Sequence, residues 1–138
     1  MSQPRSVLFV CVSNRGKSVM AEGLARTFVG GSIAASSAGT AAKIGAAPND
    51  LSAEALAKVG ADITGHTPRQ LTDELMRSVD MTVMVGTSAV IDAPEGIVVE
   101  VWEIDEPSLH GIDGIERMRR IRDELIDRIK DLSRRLAS

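Results

Sequence analysis

Four short apolar segments along the chain are typical of β-strands. The clearest is residues 7–11, where every position is apolar rather than every second one. A strand with that pattern is buried on both faces, so we expect it to lie centrally in a parallel sheet. The other three candidates are residues 32–37, which form the weakest pattern, residues 81–85 and residues 97–102.

Between the strand candidates the apolar spacing changes to that of amphipathic helices. The first predicted helix begins near Ser18 and ends at Gly30-Gly31, and one of its faces carries Met20, Leu24 and Phe28. A second, short helix is predicted over residues 51–59. Gly60 follows it at the position where a left-handed cap is expected.

Two further helices are predicted in the second half of the chain. The order Thr67-Pro68-Arg69-Gln70 has the form of a capping box with proline at the first helical position, which predicts a helix to about Val79. A long terminal helix is predicted by an apolar stripe formed by Ile115, Met118, Ile121, Leu125, Ile129, Leu132 and Leu136.

Strands that alternate with helices predict an α/β fold. Crossover connections of this kind give a three-layer domain, with a central four-stranded parallel sheet and helices on both faces. The 138 residues contain no linker, so we expect one domain over residues 1–138. Ligands of such folds bind at the carboxyl ends of the strands, and Cys11 lies at the end of the first.

Composition excludes several classes of function. The net charge of −3 and the 2% of aromatic residues disfavour a nucleic-acid surface, and no apolar run is long enough to span a membrane. We expect a cytoplasmic protein, because no leader pattern is present and a single cysteine suits a reducing compartment. No metal-ligand spacing occurs, and His66 and His110 are assigned no role.

The candidate chemistry lies in the loop that follows the first strand. Cys11 precedes Val12-Ser13-Asn14-Arg15-Gly16-Lys17-Ser18, and that loop opens onto the first predicted helix. Backbone N–H groups of such a loop and of the first helical turn converge on one point, where the helix dipole adds positive charge. The same field stabilises both a bound oxyanion and a thiolate, which is the nucleophilic form of cysteine.

This loop resembles the Cys-x5-Arg-Ser/Thr P-loop signature of the low-molecular-weight protein tyrosine phosphatase family. That family includes the cysteine-dependent arsenate reductases of the same fold. The likeness extends along nearly the whole chain, through the flanking strand and three further motifs: Ser37-Ala38-Gly39-Thr40, Leu71-Thr72-Asp73-Glu74-Leu75 and Trp102-Glu-Ile-Asp105-Glu106-Pro107.

The resemblance implies specific roles for the loop residues. Cys11 would be the nucleophile, Ser18 would donate a hydrogen bond to its thiolate, and Asn14 would brace the loop. The oxygens of a tetrahedral oxyanion would be held by the amides of Val12, Ser13, Asn14, Arg15, Gly16, Lys17 and Ser18.

Two positions depart from the family pattern. Lys17 stands where the family has arginine, so the positive charge remains but the planar pair of donors is lost. Arg15 could supply a guanidinium from the same loop. The family's acid is an aspartate immediately before proline, and here Glu106 occupies that position with Asp105 before it, so either is a candidate proton donor.

The motifs after the third strand look more like the reductase branch, which favours a single-cysteine arsenate reductase with a role in arsenic resistance. Reductases of this fold often have two more cysteines after the third strand, whereas Val83-Met84-Val85-Gly86-Thr87-Ser88 contains none. The resemblance then implies an external small thiol of the mycothiol or glutathione type, with a redoxin as partner. No tightly bound cofactor is implied.

Two alternatives remain at this point. One is a phosphatase that forms a phosphocysteine, although Ser108 and Leu109 replace the aromatic residues that the family has beyond its acid. The other is a non-catalytic member that binds phosphate, sulfate or arsenate, which Lys17 and Glu106 favour. The sequence also leaves open the oligomeric state and whether residues 41–48 fold over the site.

Overall fold

The computed structural model describes residues 3–137, which form one sheet of four parallel strands. The first strand, Arg5–Cys11, lies inside the sheet, as predicted, and its last residue, Cys11, pairs with Gly39. The strands, in the spatial order β2-β1-β3-β4, are β1 (Arg5–Cys11), β2 (Ile33–Gly39), β3 (Met81–Val85) and β4 (Val99–Trp102).

Helices cover both faces of this sheet. They are α1 (Lys17–Val29), α2 (Asp50–Ala57), α3 (Asp73–Arg77) and α4 (Gly114–Ala137), with a 3₁₀ turn at Pro107–His110. Alternate residues of β1 reach the two layers: Val7 and Phe9 join the core built with α1, α2 and α4, whereas Leu8 and Val10 join a smaller cluster with Met76 of α3. The predicted three-layer α/β architecture is therefore confirmed.

Helix α4 contributes its apolar stripe to this core and packs against α1 and α2. The predicted stripe is buried at its five central positions, and its end members, Ile115 and Leu136, are half-buried. Helix α1 begins at Lys17, one residue before the predicted start, and buries Met20 and Leu24. Phe28 at its last turn is 40% exposed, and the ammonium of Lys130 lies 5.4 Å from its ring centroid.

The predicted helix from Thr67 to Val79 is wrong over its first half. Residues 67–72 are not helical, and Gln70 among them forms a parallel bridge with Gly39. The helix is the short α3, capped by Thr72, whose hydroxyl accepts from Leu75 N–H. Tertiary bonds outweigh the local capping signal because Arg69 and Leu71 both hydrogen-bond to the backbone of Gly39. This non-helical segment therefore lies against the carboxyl end of β2.

Other element boundaries differ by one or two residues from those predicted. Strand β2 continues to Gly39 rather than ending at Ser37, because its ladder with β1 runs to Cys11. Strand β4 begins at Val99, since Ile97 closes a turn with Pro94. Helix α2 ends at Ala57, two residues before the predicted Val59, and Gly60 beyond it has the predicted left-handed backbone, with φ of 84°.

Within residues 3–137, none of the helices combines the length and the apolar character needed to cross a lipid bilayer.

Candidate active site

The loop between β1 and α1 is held from outside through its carbonyl groups. Residues 40–49 run beside it and donate backbone N–H groups to it, so the segment 41–48 lies along the loop. The four bonds are Thr40 to Cys11 at 3.0 Å, Ala41 to Val12 at 2.9 Å, Lys43 to Ser13 at 3.0 Å and Asn49 to Arg15 at 2.9 Å. This close approach requires glycine at position 39, where a Cβ would lie 2.5 Å from the Val12 carbonyl oxygen.

The carbonyl groups of the loop accept hydrogen bonds from these partners, whereas the backbone N–H groups of the loop remain available. In the part of the chain that the structure describes, the backbone N–H groups of residues 13–18 donate to no protein acceptor. Helix α1 begins within this stretch, at Lys17, so the unpaired N–H groups of its first turn and the positive end of its dipole add to the same field. Unpaired N–H groups at a helix N-terminus are the groups that bind oxyanions in proteins, so we call the loop of residues 12–18 a candidate anion cradle.

Asn14 fixes the shape of this cradle from a fully buried position. Its backbone is left-handed, with φ of 59°, a conformation that asparagine tolerates better than most residues. Its side-chain amide donates to Ser18 Oγ at 2.9 Å and to Ser37 Oγ at 3.0 Å. Its Oδ1 accepts from Arg69 N–H at 3.0 Å, and His66 Nε2 lies 3.1 Å away. The polar atoms of this side chain are all paired.

These bonds set the direction of the hydrogen bond at the cysteine. Ser18 Oγ lies 2.9 Å from Cys11 Sγ and already accepts from Asn14, so its own hydrogen is available to the sulfur. The second serine behaves in the same way, because Ser37 accepts from Asn14 and donates to the buried carboxylate of Glu22 at 2.5 Å. Ser18 can therefore stabilise the thiolate form of Cys11.

Cys11 lines a pocket of about 270 Å³ at the carboxyl ends of β1 and β3. The loop side of the pocket includes Val12, Ser13, Arg15, Gly16 and Lys17, and the helical side includes Arg117. Apolar walls are formed by Met20, Val85, Met118 and Ile121, and none of the lining residues is aromatic. The site thus combines a potential thiolate, converging amides and three cationic side chains.

Glu106 joins two of these cations at the rim of the pocket. Its carboxylate receives both Nε, at 2.7 Å, and Nη2, at 2.5 Å, of Arg117, and its Oε1 lies 3.6 Å from Lys17 Nζ. Ser108 donates to the same carboxylate from its backbone and its hydroxyl. The hydrogen bonds from Arg117, followed by those from Ser108, hold the pKa of Glu106 far below its usual range.

The other candidate acid and the second loop cation have different surroundings. The Asp105 side chain is 67% exposed, and His110 Nε2 lies 3.8 Å from it. Neither Asp105 nor Glu106 is among the described residues that line the pocket. Arg15 lines the pocket, but its Nε donates to the Ala47 carbonyl at 2.7 Å, so that edge of its guanidinium is already engaged.

Comparison with known proteins identifies the family. The family model described as low molecular weight phosphotyrosine protein phosphatase matches residues 6–138. The chain belongs to this family. The resemblance found in the sequence is thereby confirmed, and the cysteine at the end of β1 lies within the matched region.

Similar members of the low molecular weight phosphotyrosine protein phosphatase family carry the name arsenate reductase. Arsenate reductase 1 of Staphylococcus epidermidis is 28% identical over 137 residues, covering 97% of this chain and 99% of that protein. The glutaredoxin arsenate reductase of Synechocystis sp. is 28% identical over 133 residues, covering 93% and 95%. The solved structure of the thioredoxin-dependent arsenate reductase of Corynebacterium glutamicum matches with a TM-score of 0.77 and 30% identity. The match covers 99% of this chain, which spans only 63% of the length of that protein.

Sequence reasoning missed three residues that support the cradle: Glu22, Ser37 and His66. His66 Nε2 lies 3.1 Å from both the backbone oxygen and Oδ1 of Asn14, so Nε2 must carry a proton and donate to them. Ser37 belongs to a motif of the family resemblance, but no local signal assigns a role to any of the three, because each comes from a different part of the chain. A buried asparagine with four hydrogen-bonding positions nevertheless requires partners, and that requirement could have prompted the search.

No group of three potential metal ligands comes together in the described part of the chain.

Proposed function

We propose that this protein is an arsenate reductase that uses Cys11 as its nucleophile and an external thiol as its reductant. One observation carries the proposal: Cys11 Sγ lies 2.9 Å from the Ser18 hydroxyl, at a pocket formed by loop amides and cations. A tetrahedral oxyanion is the ligand that such a cradle binds. The arsenate reductases among the relatives favour arsenate as that oxyanion.

In the first step the Cys11 thiolate attacks arsenic. An Sγ–As bond forms and one As–O bond breaks, and the departing oxygen leaves as water after taking up protons. The amides of residues 12–18 hold the remaining oxygens, while Ser18 and Lys17 stabilise negative charge on the sulfur and on the oxyanion. The arsenic remains in the +5 state at this stage.

In the second step an external thiolate attacks Cys11 Sγ. A disulfide bond forms, the electron pair of the Sγ–As bond stays on arsenic, and arsenite leaves in the +3 state. Oxidation of two thiols to one disulfide thus balances the two-electron reduction. A second external thiol then releases Cys11 by exchange. An external reductant is required because the 138-residue sequence contains one cysteine.

The reductant that we propose is a small thiol of the mycothiol or glutathione type, regenerated by a redoxin. The names of two relatives, a glutaredoxin and a thioredoxin-dependent arsenate reductase, support an external thiol system. We place the reaction in the cytoplasm, because its nucleophile must remain a reduced thiol between turnovers.

The leaving oxygen must take up a proton, and the two candidate acids, Glu106 and Asp105, differ as donors of that proton. Bonded by Arg117, Glu106 is ionised at neutral pH and has no proton to give, so we assign it the role of an anion that holds cations at the pocket. Asp105, whose side chain is 67% exposed, is then the carboxyl that remains as candidate donor.

A phosphatase is the second candidate, because the family is described as phosphotyrosine phosphatases. It needs one cysteine, with water hydrolysing a phosphocysteine. The pocket argues against an aryl phosphate, since none of its lining residues is aromatic and a phenyl ring would find no stacking partner there. An inorganic oxyanion fits this small, cationic site better.

The test uses two assays on the purified protein. In the first, the protein receives arsenate together with either mycothiol or glutathione and the matching redoxin. In the second, it receives p-nitrophenyl phosphate. We expect arsenite only when a thiol is present, and no arsenite from Cys11→Ser. Hydrolysis of the aryl phosphate without thiol, together with no arsenite, would replace the proposal by the phosphatase. Inactivity in both assays, with phosphate binding retained, would identify a non-catalytic oxyanion-binding protein.

A further inference from the structure

One arginine of α4 differs from its neighbours on the same helix. Arg119 and Arg120 pair with Glu116 along the exposed surface of α4, and their side chains are 44% and 57% exposed. Arg117 instead reaches out of the helix to Glu106, is 26% exposed and lines the pocket that contains Cys11. If Arg117 served only to form a surface ion pair, it would not need to line the pocket beside the anion cradle.

The contacts of Arg117 leave part of its guanidinium available. Glu106 occupies Nε and one hydrogen of Nη2. Among the described residues, Nη1 has only the thioether of Met118, at 4.0 Å. Four of the five N–H donors of a guanidinium form two separate pairs, so one edge can be held by a carboxylate while the Nη1–Nη2 edge receives a second anion.

Charge at the rim also favours an anion near this arginine. Lys17 Nζ and Arg117 Nη2 both lie near the same oxygen, Oε1 of Glu106, so the two cations share one carboxylate. Together they carry one positive charge more than Glu106 neutralises. An oxyanion in the pocket would balance that excess.

We propose that Arg117 is an oxyanion-binding residue, and that it supplies from α4 the planar pair of donors that Lys17 cannot provide from the loop. Glu106 is a positioning residue in this arrangement, because it fixes the orientation of the guanidinium. The inference rests on the proposed function in taking the substrate to be a small tetrahedral oxyanion, and it adds a binding group outside the loop.

The test measures binding of inorganic phosphate to the intact protein by calorimetry. Arg117→Gln should raise the dissociation constant at least about tenfold, and Arg117→Lys about fivefold, because lysine keeps the charge and loses the fork. Arg120→Gln is the matched control, since it removes the same charge from the exposed face of α4, and we expect a change within about twofold. Thermal melting checks that each variant is folded.

A second measurement does not depend on turnover. The rate of Cys11 alkylation by anionic iodoacetate, divided by the rate with neutral iodoacetamide, reports the electrostatic field at the sulfur. This ratio should fall about fivefold in Arg117→Gln, while Arg117→Lys and Arg120→Gln stay within about twofold of the unaltered protein.

The outcomes separate this inference from the proposed function. Equal phosphate affinities in Arg117→Gln and Arg120→Gln, or no phosphate binding by the unaltered protein, would overturn the role of Arg117. If arsenate is not reduced but Arg117→Gln still weakens phosphate binding and lowers the alkylation ratio, the reductase proposal fails and the inference stands. In an active reductase, Arg117→Gln should raise the KM for arsenate more than it lowers kcat.

Discussion

The hydroxyl of Ser18 is the one side-chain group that contacts the sulfur of Cys11 among the hydrogen bonds of the described residues. Its orientation follows from Asn14, which donates to it and so leaves the serine hydrogen for the thiolate. A charge-assisted bond of this kind stabilises the ionised sulfur more than the neutral thiol. The reactivity of Cys11 should therefore fall when this hydroxyl group is removed.

We expect Ser18→Ala to slow alkylation of Cys11 by iodoacetamide at pH 7 by roughly fivefold, the equivalent of one hydrogen bond of about 1 kcal/mol. Ser88→Ala is the control, because Ser88 lines the same pocket and has no contact with the sulfur among the described residues. Rates for Ser18→Ala within twofold of the unaltered protein would contradict a thiolate stabilised by Ser18.

At the level of single residues, the sequence predicted the groups that are close together in the chain. Cys11, Asn14 and Ser18 fall within one loop and have the contacts expected of them. The partners that hold Asn14 from β2 and from the segment before α3 could not be predicted, because only folding brings them near it. The pairing of Glu106 with Arg117 was missed for the same reason.

Among the elements, the 3₁₀ turn and α4 are joined by the carboxylate of Glu106. The hydrogen bonds from Arg117, followed by those from Ser108, favour its charged form, so its pKa in the folded protein lies well below the ordinary value of 4.5. A depressed folded pKa contributes stability above the unfolded pKa, and that contribution disappears as the pH falls toward the folded value.

Accordingly, Glu106→Gln should lower the free energy of unfolding by about 1 kcal/mol at pH 7, a difference that shrinks as the pH falls below about 4.5. Urea denaturation at a series of pH values measures it. Glu116→Gln, which removes a more exposed carboxylate of α4, should change stability by less than about 0.5 kcal/mol. A Glu106→Gln deficit that is constant from pH 7 to pH 3 would be inconsistent with this linkage.

Element prediction succeeded where apolar periodicity was decisive and failed where long-range hydrogen bonds were decisive. Strand β3 and the stripe of α4 were predicted from side chains that pack directly into the core. The stretch 67–72 carries a local helix signal, yet its backbone bonds to Gly39 and Asn14 keep it from forming a helix. Helix propensity is a property of the segment alone, so it cannot predict hydrogen bonds to residues that are distant in sequence.

The whole molecule is stabilised by one large core on the α1, α2 and α4 side of the sheet. Leu125 is fully buried there, and Trp102, the only tryptophan in the sequence, belongs to the same cluster and lies 5.7 Å from Phe9, centroid to centroid. Tryptophan fluorescence should therefore report the unfolding of this core.

On this basis Leu125→Ala should reduce the free energy of unfolding by about 3 kcal/mol, because it leaves a cavity between α4 and the rest of the core. Leu109→Ala, at a side chain that is 81% exposed, should change it by less than about 0.5 kcal/mol. Denaturation followed by Trp102 fluorescence compares the two, and similar losses for both would refute the burial argument.

Cys11, the proposed nucleophile, is the last residue of β1, whose residues Val7 to Val10 are completely shielded from solvent and whose two sides are paired with other strands. Fraying begins at sheet edges and chain ends, so it does not reach this strand first. Heat inactivation of the protein should then coincide with the collapse of the entire sheet. A sample that retains its cooperative melting transition would also retain an assembled anion cradle.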